Sequence, residues 1–458
     1  MTGATTDLDF ELQAGGFVAG EVNDTVGAGL EDIHIEIRDT AGFLLTWEPT
    51  DPAGIYTTSQ VVPPGTYFVS TWNDQGYVNE IYDNLDCLGC DVTLGKKVMV
   101  ASGATTAGID FELDAGGHIA GTVTEEGTGE AIPRVRINVY TQGGRLLQGV
   151  LPNDDGEYLT SMGLPTGSYY VATTTMWGAG PRYVNEIFDD LPCPGECDVT
   201  TGMPVLVGAG GTTSDIDFEL ALGGQISGTV LEAGTNAPID YSEVLLFDSA
   251  GNFMDTTRVG SSGAFTSFRG VPTGIYFAAT KNFDGYLDEL YKEAACHGGG
   301  DLCAVTSGTP ISITAGAVTE GIEFTLSKTG GWIAGTVTES VWGHGLPTVN
   351  VDIFDASGDR VTRVLWNRPN PADGSFKTCG LPAGSYFAKV DTSPLIQSYA
   401  NEAFDDLDCV LGCDVTQGTP ITVHDGVGAL DIDFALVPLV FADGFESMDT
   451  TAWTTTFP

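Results

Sequence analysis

Four copies of one pattern constrain this chain more than any other feature. A glycine pair followed by an alternating strand reads GGFVAGEV, GGHIAGTV, GGQISGTV and GGWIAGTV, starting at Gly15, Gly116, Gly223 and Gly330. The starts lie 101, 107 and 107 residues apart. Each unit closes on a second shared strand: GIDFEL to Leu113, DIDFEL to Leu220, GIEFTL to Leu326 and DIDFAL to Leu436. Solenoid repeats run roughly 20–50 residues, so this period is that of a whole domain.

Within a unit the order is constant. Ile33, Ile35 and Ile37 alternate with polar neighbours, as do Val135, Ile137 and Val139, and Val349, Val351 and Ile353. A period of two with one apolar face is a half-buried strand of an antiparallel sheet. Turns containing glycine follow (NDDGEY, SSGAF, PADGSF), then a Pro-Gly turn and a strand carrying Tyr67, Tyr169, Tyr276 or Tyr386. No long stripe with a 3.6-residue period occurs. Short strands with turn chemistry between them predict an all-β chain of β-sandwiches with minimal helix.

The ordered set G-x-I-x-G-T-V, V-x-I-x-V/F-Y/D, D-G-x-Y/F, L-P-x-G-x-Y and I-x-F-x-L resembles the carboxypeptidase regulatory-like domain. That family is a transthyretin-like, prealbumin-type sandwich of seven strands, related in shape to starch-binding-like and collagen-adhesin B-type repeats. The resemblance implies four Ig-like or transthyretin-like sandwiches, at 15–115, 116–222, 223–329 and 330–436. Residues 1–14 would be an orphan terminal strand and 437–458 a C-terminal tail. It implies no catalytic residues and no particular ligand; in bacteria it implies an extracellular accessory, stalk or adhesion module.

Each unit departs from the family pattern by an insert, expected before its last strand, and each insert holds one close cysteine pair. The pairs are Cys87/Cys90, Cys193/Cys197, Cys296/Cys303 and Cys409/Cys413. Zinc and redox sites need fixed spacing, whereas a disulfide pinching a loop tolerates variable gaps. Structural disulfides are therefore the expectation, with metal, redox and reduced-thiol readings as the alternatives. Paired cysteines in every unit point to an oxidising, extracellular compartment. Cys379 is left over. It aligns with Gln60, Met162 and Arg269, which predicts a half-exposed strand residue; an intermolecular disulfide is the other reading.

The inserts repeat an acid–amide set. Asn79, Glu80 and Asp83 match Asn185, Glu186 and Asp189, and Asn401, Glu402 and Asp405. Asp91, Asp198 and Asp414 follow the second cysteine. Oxygen ligands without histidine suit a hard cation such as Ca²⁺. The competing reading is that these side chains cap turns. No other cofactor is called for. The third unit breaks the pattern with Lys292 and Ala304.

Charge narrows the function classes. With 62 acidic and 17 basic residues the formal net charge is −45, which repels nucleic acid and anionic membranes. No run of 18 apolar residues exists, so no membrane insertion is expected. G-x-S-x-G, H-E-x-x-H and P-loop patterns are missing. The five histidines occupy unrelated repeat positions, and His34 and His118 read as solvated strand residues.

The start, MTGATTDLDFEL, lacks the pattern of a signal peptide. TGATTDLDFELQAGG matches SGATTAGIDFELDAGG, so Asp7 to Leu12 reads as the closing strand of a preceding sandwich. It is either a stump or, through Leu8, Phe10 and Leu12, an assembly strand for another subunit. The tail from Phe441 to Pro458 resembles short terminal tails of secreted multidomain bacterial proteins.

The function expected is a non-enzymatic structural or adhesion protein, a stalk or head-to-tail filament, at the bacterial cell surface or outside it. Its partners would be copies of itself, or surface glycans and proteins. The alternatives are a carbohydrate-binding array or an accessory region of a larger secreted hydrolase. An array needs aromatics in register, and the seven tryptophans look scattered in the sequence.

Overall fold

The computed structural model describes residues 13–438 apart from 176–181, 283, 293, 297–302, 342, 347–348, 365–372, 393–398 and 410–411. The chain forms two compact units, Met1–Leu222 and Gly223–Pro458. Each unit holds two β-sandwiches, and every sandwich has its own apolar core. Among the described residues the only helices are single 3₁₀ turns.

The first repeat shows the plan. Its strands are β1 (Phe17–Asp24), β2 (His34–Arg38), β3 (Leu44–Pro49), β4 (Ile55–Thr57), β5 (Gly65–Trp72), β6 (Glu80–Ile81), β7 (Leu85–Asp86), β8 (Val98–Val100), β9 (Thr105–Thr106) and β10 (Phe111–Leu113). One sheet is mixed: β4 pairs antiparallel with β1, and β9 and β10 pair parallel with it. The other has the order β3-β2-β5-β6-β7, with β8 also on β5. Ile33, Ile35 and Ile37 face Val18, Val22 and Phe111 between the sheets, all at or near zero exposure. That interleaving removes the apolar face of each strand from water at about 25 cal/mol per Å².

The repeated glycine of the opening strand has a steric cause. A Cβ at Gly20, Gly121, Gly228 or Gly335 would overlap the carbonyl of Ile109, Ile216, Ile322 or Ile432. The parallel closing strand approaches only because that Cβ is missing.

The insert lies between β5 and β8, so it precedes the last strands of the repeat rather than the final one alone. The cause is a length mismatch. β8 covers only the Gly65–Tyr67 half of the long β5. The β6–β7 hairpin takes the remaining edge, with Ile81 opposite Ser70. The same pairing recurs as Ala172 with Ile187, Ala279 with Leu290 and Lys389 with Ala403.

The outer face of this sheet is drier than the alternation suggests. In the third repeat Leu245, Phe247, Phe277 and Ala279 join Leu290, Cys296 and Val305 of the insert in a second apolar cluster. In the fourth, buried Asp352 takes two hydrogen bonds from Arg363, at 2.6 and 2.7 Å, and Arg363 also reaches Asp391 at 2.7 Å. Asn138 in the second is buried and donates to Thr174 Oγ1 at 2.9 Å. The insert folds over part of the outward face, so burial there favours apolar or paired residues, although Asn138 Oδ1 has no partner.

Candidate functional site

All four insert cysteine pairs are joined, with Cα–Cα distances of 4.9, 5.8, 5.4 and 4.8 Å from Cys87–Cys90 through Cys193–Cys197 and Cys296–Cys303 to Cys409–Cys413. The three aspartates after them cap the 3₁₀ turns. Asp91, Asp198 and Asp414 each accept from the backbone N–H and the hydroxyl of the threonine two residues on. Those bonds hold their carboxyls below the usual range. Ala304 provides no such cap in the third repeat.

Cys379 corrects the expectation of a half-exposed residue open to intermolecular pairing. It is buried, 3.5 Å from Thr362 Oγ1, and burial pushes its thiol up to about 12. Its neighbour Gly380 lies against the Tyr286 carbonyl, so this strand end sits against the third repeat rather than water.

The acid–amide set divides by role. The amide latches the insert to the end of the long strand. Asn79 Oδ1 accepts from Asn73 Nδ2 at 2.7 Å. Asn185 Oδ1 accepts from the N–H and hydroxyl of Thr175, and Asn401 Oδ1 does the same with Thr392. Asp83 is exposed and pairs with Lys96 at 2.9 Å; Asp405 accepts from Thr419 Oγ1 at 2.7 Å; Asp189 is exposed. Among the described residues no group of three or more His, Cys, Asp or Glu side chains is disposed to hold a metal ion.

The glutamates behave differently. The N–H of Glu80 donates to Thr71 Oγ1 at 2.8 Å, and that of Glu186 to Thr173 Oγ1 at 2.7 Å. Both side chains are buried, and Oε2 of each has no hydrogen-bond partner. Burial, with added repulsion from Asp86 and Asp190 respectively, pushes both carboxyls up to about 7. In the later repeats the glutamate is satisfied from the closing strand. Glu289 Oε1 accepts from the Thr325 N–H at 2.9 Å, and Glu402 Oε1 from the Ala435 N–H at 3.2 Å.

Two tryptophans that look unrelated in the sequence meet on the outer face of the first repeat. His34 stacks on Trp47 with centroids 4.4 Å apart, and Trp72 lies 5.1 Å from the same imidazole. Both indoles are exposed, at 50% and 41%. Beside them Arg38 Nη2 donates to Glu36 at 2.7 Å. The corresponding triplet is Gly149, Arg136 and Thr174 in the second repeat and Arg363, Asn350 and Asp391 in the fourth. His118, expected in water, donates from Nδ1 to the Thr160 carbonyl at 2.8 Å.

Consecutive repeats within a unit are tightly joined. The Gly116 N–H donates to the Gly76 carbonyl at 2.8 Å, and Tyr77 bridges Ala115. A Cβ on Gly163 would overlap the Gly76 carbonyl, and one on Gly380 the Tyr286 carbonyl. The pinched loop of the first repeat also docks on the second. Leu88 packs against its core, and the Leu88 carbonyl accepts from Arg145 Nη2 at 2.8 Å.

Leu8, Phe10 and Leu12 and the tail aromatics lie outside the described residues. Among the described residues no helix is long and apolar enough to cross a membrane.

No protein-family description and no curated protein matches the chain. Solved structures do. The Bacillus anthracis TIE protein is 13% identical over 89% of this chain and 69% of its own, with a TM-score of 0.19. A streptococcal ancillary pilin is 10% identical over 68% of this chain and 98% of its own, with a TM-score of 0.23. GBS52, a minor pilin of Streptococcus agalactiae, is 13% identical over 46% and 95%, with a TM-score of 0.22. Likeness this distant transfers no property of those proteins to this chain.

Proposed function

We propose that this protein is a non-enzymatic structural or adhesion protein outside the bacterial cell or on its surface. It is a stalk of four carboxypeptidase regulatory-like sandwiches at 15–115, 116–222, 223–329 and 330–436. The observation that carries this reading is the shared junction. In both units a glycine of the later repeat, Gly163 or Gly380, lies against a backbone corner of the earlier one. Close backbone packing resists bending, which a stalk needs and a string of independent binding modules does not. Disulfides in all four inserts suit an oxidising compartment.

Small-angle scattering on the full chain tests this. An extended, stiff particle supports the stalk; a profile of freely jointed beads overturns it. Head-to-tail growth through Leu8, Phe10 and Leu12 is the further expectation. Removal of residues 1–14 should abolish any polymer while the four sandwiches stay folded.

A second reading has one observation in its favour. The exposed Trp47–His34–Trp72 group beside the Glu36–Arg38 pair offers aromatic surface and hydrogen-bonding groups to a sugar. It occurs in the first repeat and not at the corresponding places of the second and fourth, so it favours one site over an array. Saturable glycan binding that W47A/W72A removes would establish it. An accessory role in a larger secreted hydrolase has no comparable support within the chain.

A further inference from the structure

The first two inserts carry a buried carboxylate oxygen with nothing to bond, and the closing strand beside them supplies a second carboxylate. Tyr77 bridges Ala115 antiparallel, and the Val78 N–H donates to the Asp114 carbonyl at 2.9 Å. Counting along that register places Glu80 opposite Glu112. In the second repeat Tyr183 bridges Leu222 and the Val184 N–H donates to the Ala221 carbonyl at 2.9 Å, which places Glu186 opposite Glu219. The corresponding closing-strand residues in the third and fourth repeats are Thr325 and Ala435, which bring no charge.

The second acid is thus present only where the buried glutamate keeps an orphan oxygen. Glu80 is 5% exposed and Glu186 8%, and Oε2 of each is unpartnered. Two carboxylates on segments joined at that bridge repel each other unless a proton or a cation lies between them.

We propose that Glu80 with Glu112, and Glu186 with Glu219, form two corresponding sites for a divalent hard cation, calcium above all. Of the earlier candidates this keeps Glu80 and Glu186. It releases Asn79, Asn185 and Asp83, whose side chains already have protein partners. The donors are oxygen alone, which Ca²⁺ accepts and zinc or copper does not select. Two side-chain ligands leave the remaining positions to water and carbonyl oxygens. Affinity should therefore sit near the weak end known for extracellular calcium modules, on the order of 10⁻³ M. Asp86, opposite Glu80 across the β6–β7 hairpin, adds negative charge beside the first site; Pro192 occupies that place in the second. The first site should be the tighter one.

The test is calorimetric titration of the full chain with CaCl₂ at pH 8, after treatment with a chelator. The comparison is with E112T/E219A, which installs the residues of the third and fourth repeats at exposed positions. The wild type should take up about two equivalents, and the double variant should bind at least tenfold more weakly while its calcium-free melting temperature does not fall. E80Q/E186Q should lose binding as well. No saturable uptake, or equal uptake by E112T/E219A, would overturn the proposal. So would a rise in melting temperature that NaCl of matched ionic strength reproduces; a shared proton would then account for the orphan oxygens.

Discussion

The Oδ1 of Asp288 accepts a 2.7 Å hydrogen bond from Nδ2 of Asn282, the bond that Asn79 accepts from Asn73 in the first repeat. Asp288 is the odd member of its set, because Asn79, Asn185 and Asn401 hold the same place with an amide. It is 1% exposed, and its Oδ2 has no partner. Burial raises its carboxyl well above the usual range, against smaller opposing effects from Asn282, Thr280 and Lys281. A neutral acid there reproduces the shape of the missing amide.

The first prediction follows from that acid. Its folded pKa lies above its unfolded value, so its contribution is complete at low pH and is lost as pH rises through the folded pKa. D288N removes the titration. It should stabilise the third repeat at neutral and alkaline pH by about 1–3 kcal/mol, the scale of an unsatisfied buried group, and do little in acid. Urea unfolding of both proteins from pH 4 to 9 checks this; parallel curves would count against it.

Glu80 and Glu186 carry the same sign. Both are raised to about 7, from an ordinary value near 4. In the presence of chelator the first two repeats should lose stability as pH climbs through 7. Repulsion within the whole acidic chain acts in the same direction, so the informative quantity is the difference from E80Q/E186Q. That variant should show a visibly flatter profile between pH 6 and 8. Identical slopes would mean that general charge repulsion alone sets the pH dependence.

Thiol labelling separates the cysteines into two classes. The native protein should react with none of its nine cysteines. Unfolding without reductant should expose one, Cys379, and reduction all nine. Peptide mapping should recover the four local pairs. Loops this short gain only about 2 kcal/mol from cross-linking in the chain-entropy picture. C87S/C90S should accordingly lower stability modestly and loosen Leu88 from the second repeat, which protection of the Arg145 region against hydrogen exchange would report.

The junction glycines should be intolerant of side chains in a way that the first repeat is not. A Cβ at Gly163 overlaps the Gly76 backbone, while the corresponding first-repeat residue is Val61, 56% exposed. G163V should cost about 1–3 kcal/mol by overpacking and should uncouple the first two repeats. Two separated melting transitions, with both sandwiches still folded, would be the signature. A single unchanged transition would show that the corner is not under constraint.

What depends on short range is legible in the residues alone. Alternation at Ile33, Ile35 and Ile37 sets which face is buried, because a strand reverses its side chains at every residue. Cysteines three to seven residues apart can scarcely pair otherwise, and four recurrences of one strand order fix a sandwich architecture. What depends on the register of distant strands emerges only in the folded chain. Nothing local places Trp47 and Trp72 on either side of His34; two strand pairings do. Burial of Cys379 requires the preceding repeat against its strand end. The register counted from the Tyr77–Ala115 bridge sets Glu80 against Glu112 of the closing strand, not against its neighbour Asp83. The visible signal was the Phe-Glu-Leu of the first two closing strands against Phe-Thr-Leu and Phe-Ala-Leu of the others. Its meaning depended on register, because a carboxylate acquires its chemistry from what faces it across a strand, not from what precedes it along the chain.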